Sequence, residues 1–512
     1  MNIYMINRIN ISLLILLFLG FTACDMADEF LDERPSKSTS LVVTTADQLD
    51  ALLSRYAGFY TEGNRTPIYS TDDYGLTMQL YNARPATFSM AVMTFGLWDI
   101  EFLPFDGRQI FWRMEWNKIF HANMVLSYVD RVEGTPEQKA FLKADAYLIR
   151  AYSYFQLANT YCLPFTEANK NEPGLPSKLT TSFEENMARQ SLEQTYNQIE
   201  ADLAEALKVT RPLVQNGVAR HWRTNVAAAN GFAARYWLHR HDYQKALTHA
   251  NAALANYNIL VDYNTEMEYG IPRTITVNPG PNAEVVTLQF PYTHDNQTDM
   301  TDMIGWKEFM YFRMLNHESW WYVPSQELLN LYDHENDLRY KYHMVQNYSY
   351  DRGMTNPAFS YPGYVFFFKD RIPSGPTTAE MLLIKAECEA RLNQVGPAMT
   401  TVNQLFVKRT KPGTPPLVAA NQDQAISVIL EERRRELPFS HRWFDIRRFN
   451  NNNYAADDVE LSRTFYPYTS SNVLMNQPPV TYSLTKNSRR WAVPIPDTEI
   501  VSSNGVIQQN TY

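Results

Sequence analysis

Two stretches of the 512-residue chain combine aromatic rings with planar side chains that form hydrogen bonds. Tryptophan and tyrosine offer flat surfaces on which sugar rings stack, while Asn, Asp and Arg reach pairs of neighbouring hydroxyl groups. This chemistry predicts a saccharide-binding site built from loops. The candidate ligand-binding residues are Asp73, Tyr74, Asn82, Arg84 and Trp98, beside Asp72 and Tyr81, in the first stretch, and Tyr311, Trp320 and Trp321, beside Trp306 and Tyr322, in the second.

Packing is the alternative role for these aromatic residues. The chain contains 32 Tyr and 10 Trp, and large helical cores also use such rings. For any single residue, packing is the more common role. For the two stretches taken together, both packing and ligand binding stay open.

Motifs typical of catalysis are missing from the sequence. His317-Glu318 and His334-Glu335 begin like a zinc-protease helix, but neither has a second His four residues after the first. Neither the phosphate-binding loop of nucleotide hydrolases nor the nucleophile elbow of serine hydrolases occurs. We therefore predict that the protein is not an enzyme and has no catalytic residues, no metal ligands and no cofactor.

A surface glycoside hydrolase stays open as an alternative. Such an enzyme needs two carboxylates roughly 5–9.5 Å apart across a cleft, at least one of them with a raised pKa. Acid pairs such as Asp72-Asp73 and Glu431-Glu432 occur in the chain. Adjacent acids are more often solvated surface, and the sequence does not give the distance between two carboxylates.

The first residues predict export and a lipid anchor. Residues 2–8 carry one positive charge, and the apolar run over 9–21 is too short for a permanent membrane span. Thr22 and Ala23 before Cys24 resemble a bacterial lipobox, although Phe21 stands where Leu is usual. We predict a signal peptide over residues 1–23 and acylation of Cys24, which would hold the protein on a membrane. The acidic residues that follow resemble the surface-export signal of Bacteroidetes lipoproteins.

Composition narrows the possible partners. The chain has 46 basic and 55 acidic residues and a net charge of −9, which argues against nucleic-acid binding. Besides Cys24, only Cys162 and Cys388 remain, too few for a disulfide framework or a zinc set. We predict that both are small buried apolar residues.

Apolar residues at helical spacing predict a mostly α fold. Between residues 137 and 160 they recur every three or four positions. Thr135 and Pro136 immediately before this stretch favour a helix start. A partner helix is predicted over residues 192–207, so this part of the chain should form a helical pair.

Two short helices joined by a tight link over residues 224–254 are typical of a tetratricopeptide hairpin, with Thr224 as the candidate N-cap. Similar patterns return over 377–405 and 423–433. Separated hairpins of this kind predict a solenoid-like scaffold. Long irregular stretches with a few short strands lie between them, over residues 58–104, 262–321, 340–376 and 450–490.

Four segments in order along the chain resemble the SusD/RagB family of nutrient-uptake lipoproteins. The third segment is the most specific, although Phe439-Ser440 stands where the family commonly has Glu-Gly, and Cys162 in the first replaces a usual Gly. The four segments are RAYSYFQLANTYCLP at 150–164, PSQELLNLYDHENDLR at 324–339, EERRRELPFSHRWFDIRRFN at 431–450, and WAVPIPDTEI at 491–500 with QNTY at 509–512.

This resemblance implies a SusD-like fold and a function. The protein would be lipid-anchored in the outer membrane and face the exterior. There it would capture oligosaccharides and deliver them to a SusC-like TonB-dependent transporter. Loops from the N-terminal third and from the middle of the chain would form the ligand face. RagB-like members imply peptides as an alternative cargo.

The resemblance also divides the chain into the signal peptide over 1–23, an N-terminal SusD-like region over 24–210, a tetratricopeptide-like hairpin over 211–265 and a C-terminal RagB/SusD region over 266–512.

The charged residues of the third segment predict a structural network of ion pairs. These residues are Arg433, Arg434, Glu436, Arg442, Asp445, Arg447 and Arg448.

Overall fold

The computed structural model describes residues 43–103, 110–182, 184–295, 300–316 and 321–512. The predicted signal peptide, the acylation site Cys24 and the candidate ligand-binding residue Trp320 lie outside these ranges. In the part of the chain that the structure describes, none of the helices combines the length and the apolar character needed to cross a membrane.

Helices dominate the architecture, as the sequence predicts. The helices of the first half are α1 (Ala46–Leu53), α2 (Arg65–Tyr69), α3 (Met78–Ala83), α4 (Met90–Gly96), α5 (Ile110–Tyr128), α6 (Pro136–Tyr161), α7 (Leu192–Ala206), α8 (Val226–His239) and α9 (Tyr243–Asn256). Those of the second half are α10 (Tyr292–Asp295), α11 (Met300–Ile304), α12 (Gln326–Asn330), α13 (Leu338–His343), α14 (Tyr348–Asp351), α15 (Thr378–Arg391), α16 (Val395–Arg409), α17 (Gln422–Glu436), α18 (Arg442–Phe449) and α19 (Asp497–Ser502).

The strands are short and form small, separate sheets. They are β1 (Thr61–Glu62), β2 (Pro173–Pro176), β3 (Arg189–Ser191), β4 (Val214–Gln215), β5 (Val218–Ala219), β6 (Arg273–Val277), β7 (Glu284–Leu288), β8 (Met314–Asn316), β9 (Met344–Val345), β10 (Gly363–Tyr364), β11 (Arg371–Pro373), β12 (Leu461–Phe465) and β13 (Val480–Leu484).

Among the sheets of the described residues, one joins distant parts of the chain. β8 lies between β1, which is parallel to it, and β11, which is antiparallel. Thr61 pairs with Met314, and Asn316 pairs with Arg371. The hairpin of β12 and β13 is local, with Leu461 opposite Leu484.

Local signals define the 26-residue helix α6. Thr135 accepts a hydrogen bond from the Gln138 backbone N–H (3.1 Å), and the Gln138 side chain accepts one from the Thr135 N–H (2.9 Å), which completes a capping box. Pro136 follows at the first helical position, where its missing N–H costs nothing. α6 packs between α5 and α7. Arg150 fixes the second contact with a hydrogen bond of 2.7 Å to Asp202.

The hairpin of α8 and α9 forms where the tetratricopeptide pattern occurs, but its cap differs from the prediction. Asn225 is the N-cap and accepts from the Ala228 N–H (2.9 Å), so the prediction of Thr224 is wrong. Thr224 lies one residue before the cap, where its backbone N–H donates to Asp145 (2.6 Å) and its carbonyl accepts from Arg211 (2.5 Å). α15 packs against α9 and also contacts α16 and α17.

The main core is rich in aromatic rings. Phe155 of α6 packs edge-on against Phe232 of α8 at a centroid distance of 5.6 Å and stacks with Phe444 of α18 at 6.1 Å. This contact brings N-terminal and C-terminal helices together. Cys162 and Cys388 are both buried and free, as predicted.

A network of buried ion pairs connects α18 with its neighbours. Arg448 donates to both carboxylate oxygens of Glu387 on α15 and, through Nε, to Asp445 (2.9 Å). Asp445 also accepts from Arg433 of α17 (2.7 Å). All four side chains are buried, so the network holds three helices in one arrangement.

Two other charged residues of the third family segment (431–450) have partners outside this network. Arg447 donates to the backbone carbonyls of Cys162 (2.9 Å) and Trp491 (2.7 Å) rather than to a carboxylate. Glu436 accepts from Arg409 on α16 (2.9 Å). The third family segment therefore contacts other helices through ion pairs and contacts irregular backbone through hydrogen bonds to carbonyl groups.

Candidate functional site

A cavity of about 630 Å³ lies where α2–α3, α12 and β12 meet. Its lining mixes aromatic rings, amides, hydroxyls and charged groups, contributed by three regions that are far apart in sequence. The lining residues are Asp72, Tyr74, Gly75, Leu76, Thr77, Met78, Gln79, Trp98, Ser325, Gln326, Glu327, Glu460, Leu461, Ser462, Arg463 and Thr464.

Asp72 and Asp73 hold the base of the cavity. Arg442 donates to both carboxylate oxygens of Asp72 (2.8 and 2.7 Å), and Arg434 donates to Asp73 (2.7 Å). The Asp73 carboxylate also accepts from the Phe439 N–H (2.8 Å). Charge-assisted hydrogen bonds of this kind are strong and directional. They fasten the loop between α2 and α3 to α17 and α18.

The same loop is tied to the segment before α12. The Ser325 N–H donates to the Asp73 carbonyl (2.7 Å) and the Gly75 N–H donates to the Val323 carbonyl (2.8 Å). A Cβ atom on Gly75 would lie 2.3 Å from the Pro324 carbonyl oxygen, so only glycine allows the two backbones to approach this closely.

This environment shifts the pKa values of the Asp72 and Asp73 carboxyl groups in opposite directions. Burial by itself raises the pKa of Asp72, but Arg442 and Arg434 outweigh it and lower the pKa well below its usual range. Burial also raises the pKa of Asp73, which shares Arg434 with Asp72. Asp72 is therefore ionised at any physiological pH, and its charge is compensated.

Trp98, Tyr74 and Arg463 form one wall. The Trp98 indole N–H donates to the Ser70 carbonyl (2.8 Å). The Arg463 guanidinium lies 5.2 Å from the Trp98 ring centroid and 5.8 Å from that of Tyr74. It donates to the carbonyls of Tyr74 (2.9 Å) and Thr71 (3.2 Å) and also to that of Gly96. Burial lowers the pKa of Arg463 to about 10, so it stays charged at neutral pH.

The rim is polar and open to solvent. Gln79 of α3, Gln326 and Glu327 of α12, and Glu460 and Thr464 around β12 are all exposed. Amide, carboxylate and hydroxyl groups facing an open cavity can replace the water bound to sugar hydroxyls. The arrangement is suited to a polar ligand larger than a single ion.

Two family models match separate parts of the chain. The first, described as starch-binding and associating with the outer membrane, matches residues 29–238. The second, the model of the SusD family, matches residues 378–512. The chain belongs to the SusD/RagB family. No curated protein sequence matches it significantly.

Solved structures agree on the SusD fold. A SusD superfamily protein of Bacteroides thetaiotaomicron has a TM-score of 0.64 at 17% identity, with 92% of this chain and 100% of that chain covered. A SusD-like carbohydrate-binding protein of Bacteroides vulgatus has a TM-score of 0.56 at 17% identity, with coverage of 90% and 97%. A laminarin-binding SusD-like protein has a TM-score of 0.54 at 16% identity, with coverage of 91% and 99%. At these identities the likeness shows the fold alone.

In this SusD/RagB chain, the predicted residues of the first stretch separate into two groups. Tyr74 and Trp98 line the cavity, but each is only 2–3% exposed, and Asp73 is fully buried beneath it. Asn82 and Arg84 are exposed at the end of α3, outside the lining. The Asn82 amide donates to the Tyr466 hydroxyl (2.9 Å). Contact of these five residues with a ligand stays a prediction.

The second stretch of this SusD/RagB chain packs elsewhere. Tyr311 is buried and its hydroxyl accepts from Arg313, whose guanidinium lies 4.0 Å from the ring centroid. Trp321 is buried and donates to the Pro362 carbonyl (3.3 Å). Neither residue lines the cavity. In this structure both rings serve packing, and their role in binding also stays a prediction.

Sequence reasoning missed the polar rim. Gln79 and Glu460 belong to no motif, and Gln326 and Glu327 lie in a family segment that we interpreted only as a signature. Thr464 falls in a stretch that the sequence indicates is irregular. No local pattern marks these residues, because only the meeting of α3, α12 and β12 places them around one cavity.

A second cavity of about 260 Å³ lies beside the link between α8 and α9. The Arg391 guanidinium lies 5.1 Å from the Tyr243 ring centroid and 5.7 Å from that of Tyr454. Arg391 donates hydrogen bonds to the carboxylates of Glu387 (2.8 Å) and Asp457 (2.5 Å). Because much of this polar lining is satisfied within the chain, the larger cavity is the better candidate site.

Proposed function

We propose that this SusD/RagB protein is a cell-surface lipoprotein that captures oligosaccharides and delivers them to a SusC-like TonB-dependent transporter. The observation that carries the proposal is the open cavity with a rim of amide, hydroxyl and carboxylate groups. The matched family description of starch binding supports a glycan as the cargo. So does the laminarin binding of one protein with the same fold.

We further propose that binding occurs without turnover. Asp72, one of the three carboxylates of the cavity lining, is held ionised in ion pairs with Arg434 and Arg442. A carboxylate with a lowered pKa cannot serve as the general acid of a glycoside hydrolase. Glu327 and Glu460 remain at the exposed rim.

The first experiment is a binding screen of the chain after Cys24 against neutral and acidic polysaccharides and against peptides, followed by product analysis on every hit. We expect binding of at least one glycan with no release of shorter sugars. Released sugar would replace the proposal with a hydrolase. Binding of peptides alone would keep the family and change the cargo.

Removing rim amides should weaken glycan binding without harming the fold. Gln79→Ala and Gln326→Ala should each lower the affinity about 2- to 10-fold, because one hydrogen bond contributes about 0.5–1.5 kcal/mol. Calorimetric titration with the glycan found in the screen measures this. Gln244→Ala, an exposed glutamine on α9 outside the cavity, is the matched control. Unchanged affinity in both rim variants would place the site elsewhere.

The anchor and the partner need separate evidence. Cys24→Ser should move the protein from the membrane fraction to the soluble fraction, because acyl chains contribute about 0.8 kcal/mol per buried methylene. Cell fractionation of both forms measures this. Membrane retention of Cys24→Ser would contradict the anchor.

The transporter proposal predicts that a SusC-like protein, identified by its sequence, co-purifies with wild-type protein extracted from the outer membrane.

A further inference from the structure

The second cavity, of about 260 Å³, is built from four segments of the chain. They are the link between α8 and α9 with His241 and Tyr243, the end of α15 with Arg391, the start of α17 with Gln422, and residues 451–454 after α18. None of its lining residues belongs to the lining of the larger cavity. A ligand in this second cavity would therefore bind independently of a glycan in the larger one.

Arg391 offers the second cavity a hydrogen-bond donor that the described chain leaves unused. Its side chain is only 3% exposed. Nε donates to Glu387 (2.8 Å) and Nη2 donates to Asp457 (2.5 Å). Among the described residues, no acceptor bonds to Nη1. Because buried donors are nearly always paired, an acceptor bound in the cavity is the partner that Nη1 lacks.

His241 offers a hydrogen-bond acceptor. Its Nε2 lies 2.9 Å from the Arg448 carbonyl oxygen, which can only accept, so Nε2 carries the proton. Burial lowers the pKa of His241 to about 4, so the ring is uncharged at neutral pH and Nδ1 keeps a lone pair. Within the part of the chain that the structure describes, Nδ1 receives no hydrogen bond.

The Tyr243 hydroxyl also lacks a hydrogen-bond partner among the described residues. Burial raises the pKa of this hydroxyl to about 12, so it stays protonated and can both donate and accept. The Tyr243 ring centroid lies 5.1 Å from the Arg391 guanidinium and 6.5 Å from the His241 ring centroid. Donor, acceptor and hydroxyl therefore lie close together.

The charges beside the cavity favour an uncharged ligand. Arg391 is already paired with Glu387 and Asp457. A carboxylate ligand would bring a further negative charge to these acids and would have no hydrogen for His241, while an ammonium group would meet the positive charge of Arg391. A primary carboxamide carries a carbonyl acceptor and N–H donors in one planar group, which matches both unused groups.

We propose that the second cavity binds a primary carboxamide, supplied by a glutamine or asparagine side chain of a peptide or by the free amino acid. The carbonyl oxygen accepts from Arg391 Nη1, the amide N–H donates to His241 Nδ1, and the Tyr243 hydroxyl completes the set of partners. This site is additional to the glycan cavity and does not depend on the cargo bound there.

Two ligands of the same shape test the chemistry. N-acetylglutamine methylamide and N-acetylglutamate methylamide differ only in the side-chain amide or carboxylate, and ligand-observed NMR titration at neutral pH measures both. The amide should bind with a Kd of about 1 mM, a value typical of a ligand of this size. The carboxylate should bind at least about fivefold more weakly, because it leaves His241 Nδ1 without a donor.

Free glutamine, titrated in the same way, separates the two sources of the amide. Tighter binding of free glutamine than of the capped probe would identify the amino acid as the ligand. Weaker binding of free glutamine would identify a peptide side chain. Both results retain the carboxamide as the recognised group.

Tyr243→Phe removes the hydroxyl and keeps the ring, so it should lower the affinity for the amide about 2- to 10-fold. Tyr128→Phe, at an exposed tyrosine of α5 outside both cavities, is the matched control and should bind like the wild type. Gln79→Ala, at the larger cavity, should also leave amide binding unchanged.

Three results would overturn the inference: no binding of the amide at tens of millimolar, equal binding of the amide and the carboxylate, or unchanged affinity in Tyr243→Phe. The Tyr243 hydroxyl bonds to no described residue, so a loss of affinity in this variant would not be explained by a damaged fold. Failure of the glycan screen would refute the proposed function and leave this result standing.

Discussion

Arg448→Met should lower the free energy of unfolding by about 3–5 kcal/mol, because it leaves buried carboxylates without their main partner. Glu387 is fully buried and receives two hydrogen bonds from Arg448. Burial by itself raises the pKa of Glu387, but Arg448 and Arg391 offset it and hold the pKa at about 2. Without Arg448, Glu387 keeps its ion pair with Arg391 (2.8 Å) but loses two hydrogen bonds, so the buried carboxylate is less well compensated or takes up a proton.

Urea unfolding followed by tryptophan fluorescence and by circular dichroism measures this loss. Arg489→Met is the matched control, because Arg489 pairs with Glu172 (2.8 Å) at the surface and both side chains are about one third exposed. An exposed ion pair contributes at most about 1 kcal/mol. A loss below about 1 kcal/mol in Arg448→Met would show that the network of α15, α17 and α18 does not stabilise the fold.

Trp98→Ala should also cost about 3–5 kcal/mol, because it removes a large buried ring. Trp98 packs with Trp443 and Trp491 in a small core beside the cavity, and its indole N–H is bonded to the Ser70 carbonyl. Its backbone has φ = 59°, a conformation that is uncommon for a bulky residue. The packed ring and this hydrogen bond are what hold the residue there.

Trp98→Phe separates packing from binding. It keeps an aromatic ring in the core but loses the indole N–H, so we expect a smaller loss of stability than in Trp98→Ala. Both variants are compared by urea unfolding, and glycan titration is restricted to protein that is shown to be folded. A Trp98→Ala variant of wild-type stability would mean that the ring is free to contact a ligand and is not part of the core.

The Asp72-Asp73 loop lies at the cavity and also bonds to α17 and α18, so a substitution in it is expected to affect both ligand binding and stability. Arg434 and Asp73 are 361 residues apart in the sequence, yet they form a hydrogen bond of 2.7 Å. The third family segment, which supplies Arg434 and Arg442, therefore positions the base of a cavity whose rim comes from other parts of the chain. Variants in this loop should be assessed for stability before their binding is interpreted.

Much of the scaffold follows from local sequence. Helix α6 and the hairpin of α8 and α9 form where apolar residues recur every three or four positions, because such spacing places them on one helical face within a few residues of chain. The capping box at Thr135 and Gln138 is similarly local. The four ordered family segments identified the SusD/RagB fold for the same reason, since each is a continuous run of residues.

The candidate site was decided by the tertiary structure. Sequence composition drew attention to the aromatic residues Trp98 and Tyr311, but both rings are buried. The exposed polar rim includes Gln79 and Glu460, which no motif marks, and Gln326, whose family segment does not indicate a role in a site. Exposure depends on which distant segments pack over a side chain, and long-range packing has no period or spacing in the sequence. The sequence alone therefore determined the helices and the family, whereas the meeting of α3, α12 and β12 determined which side chains face the cavity.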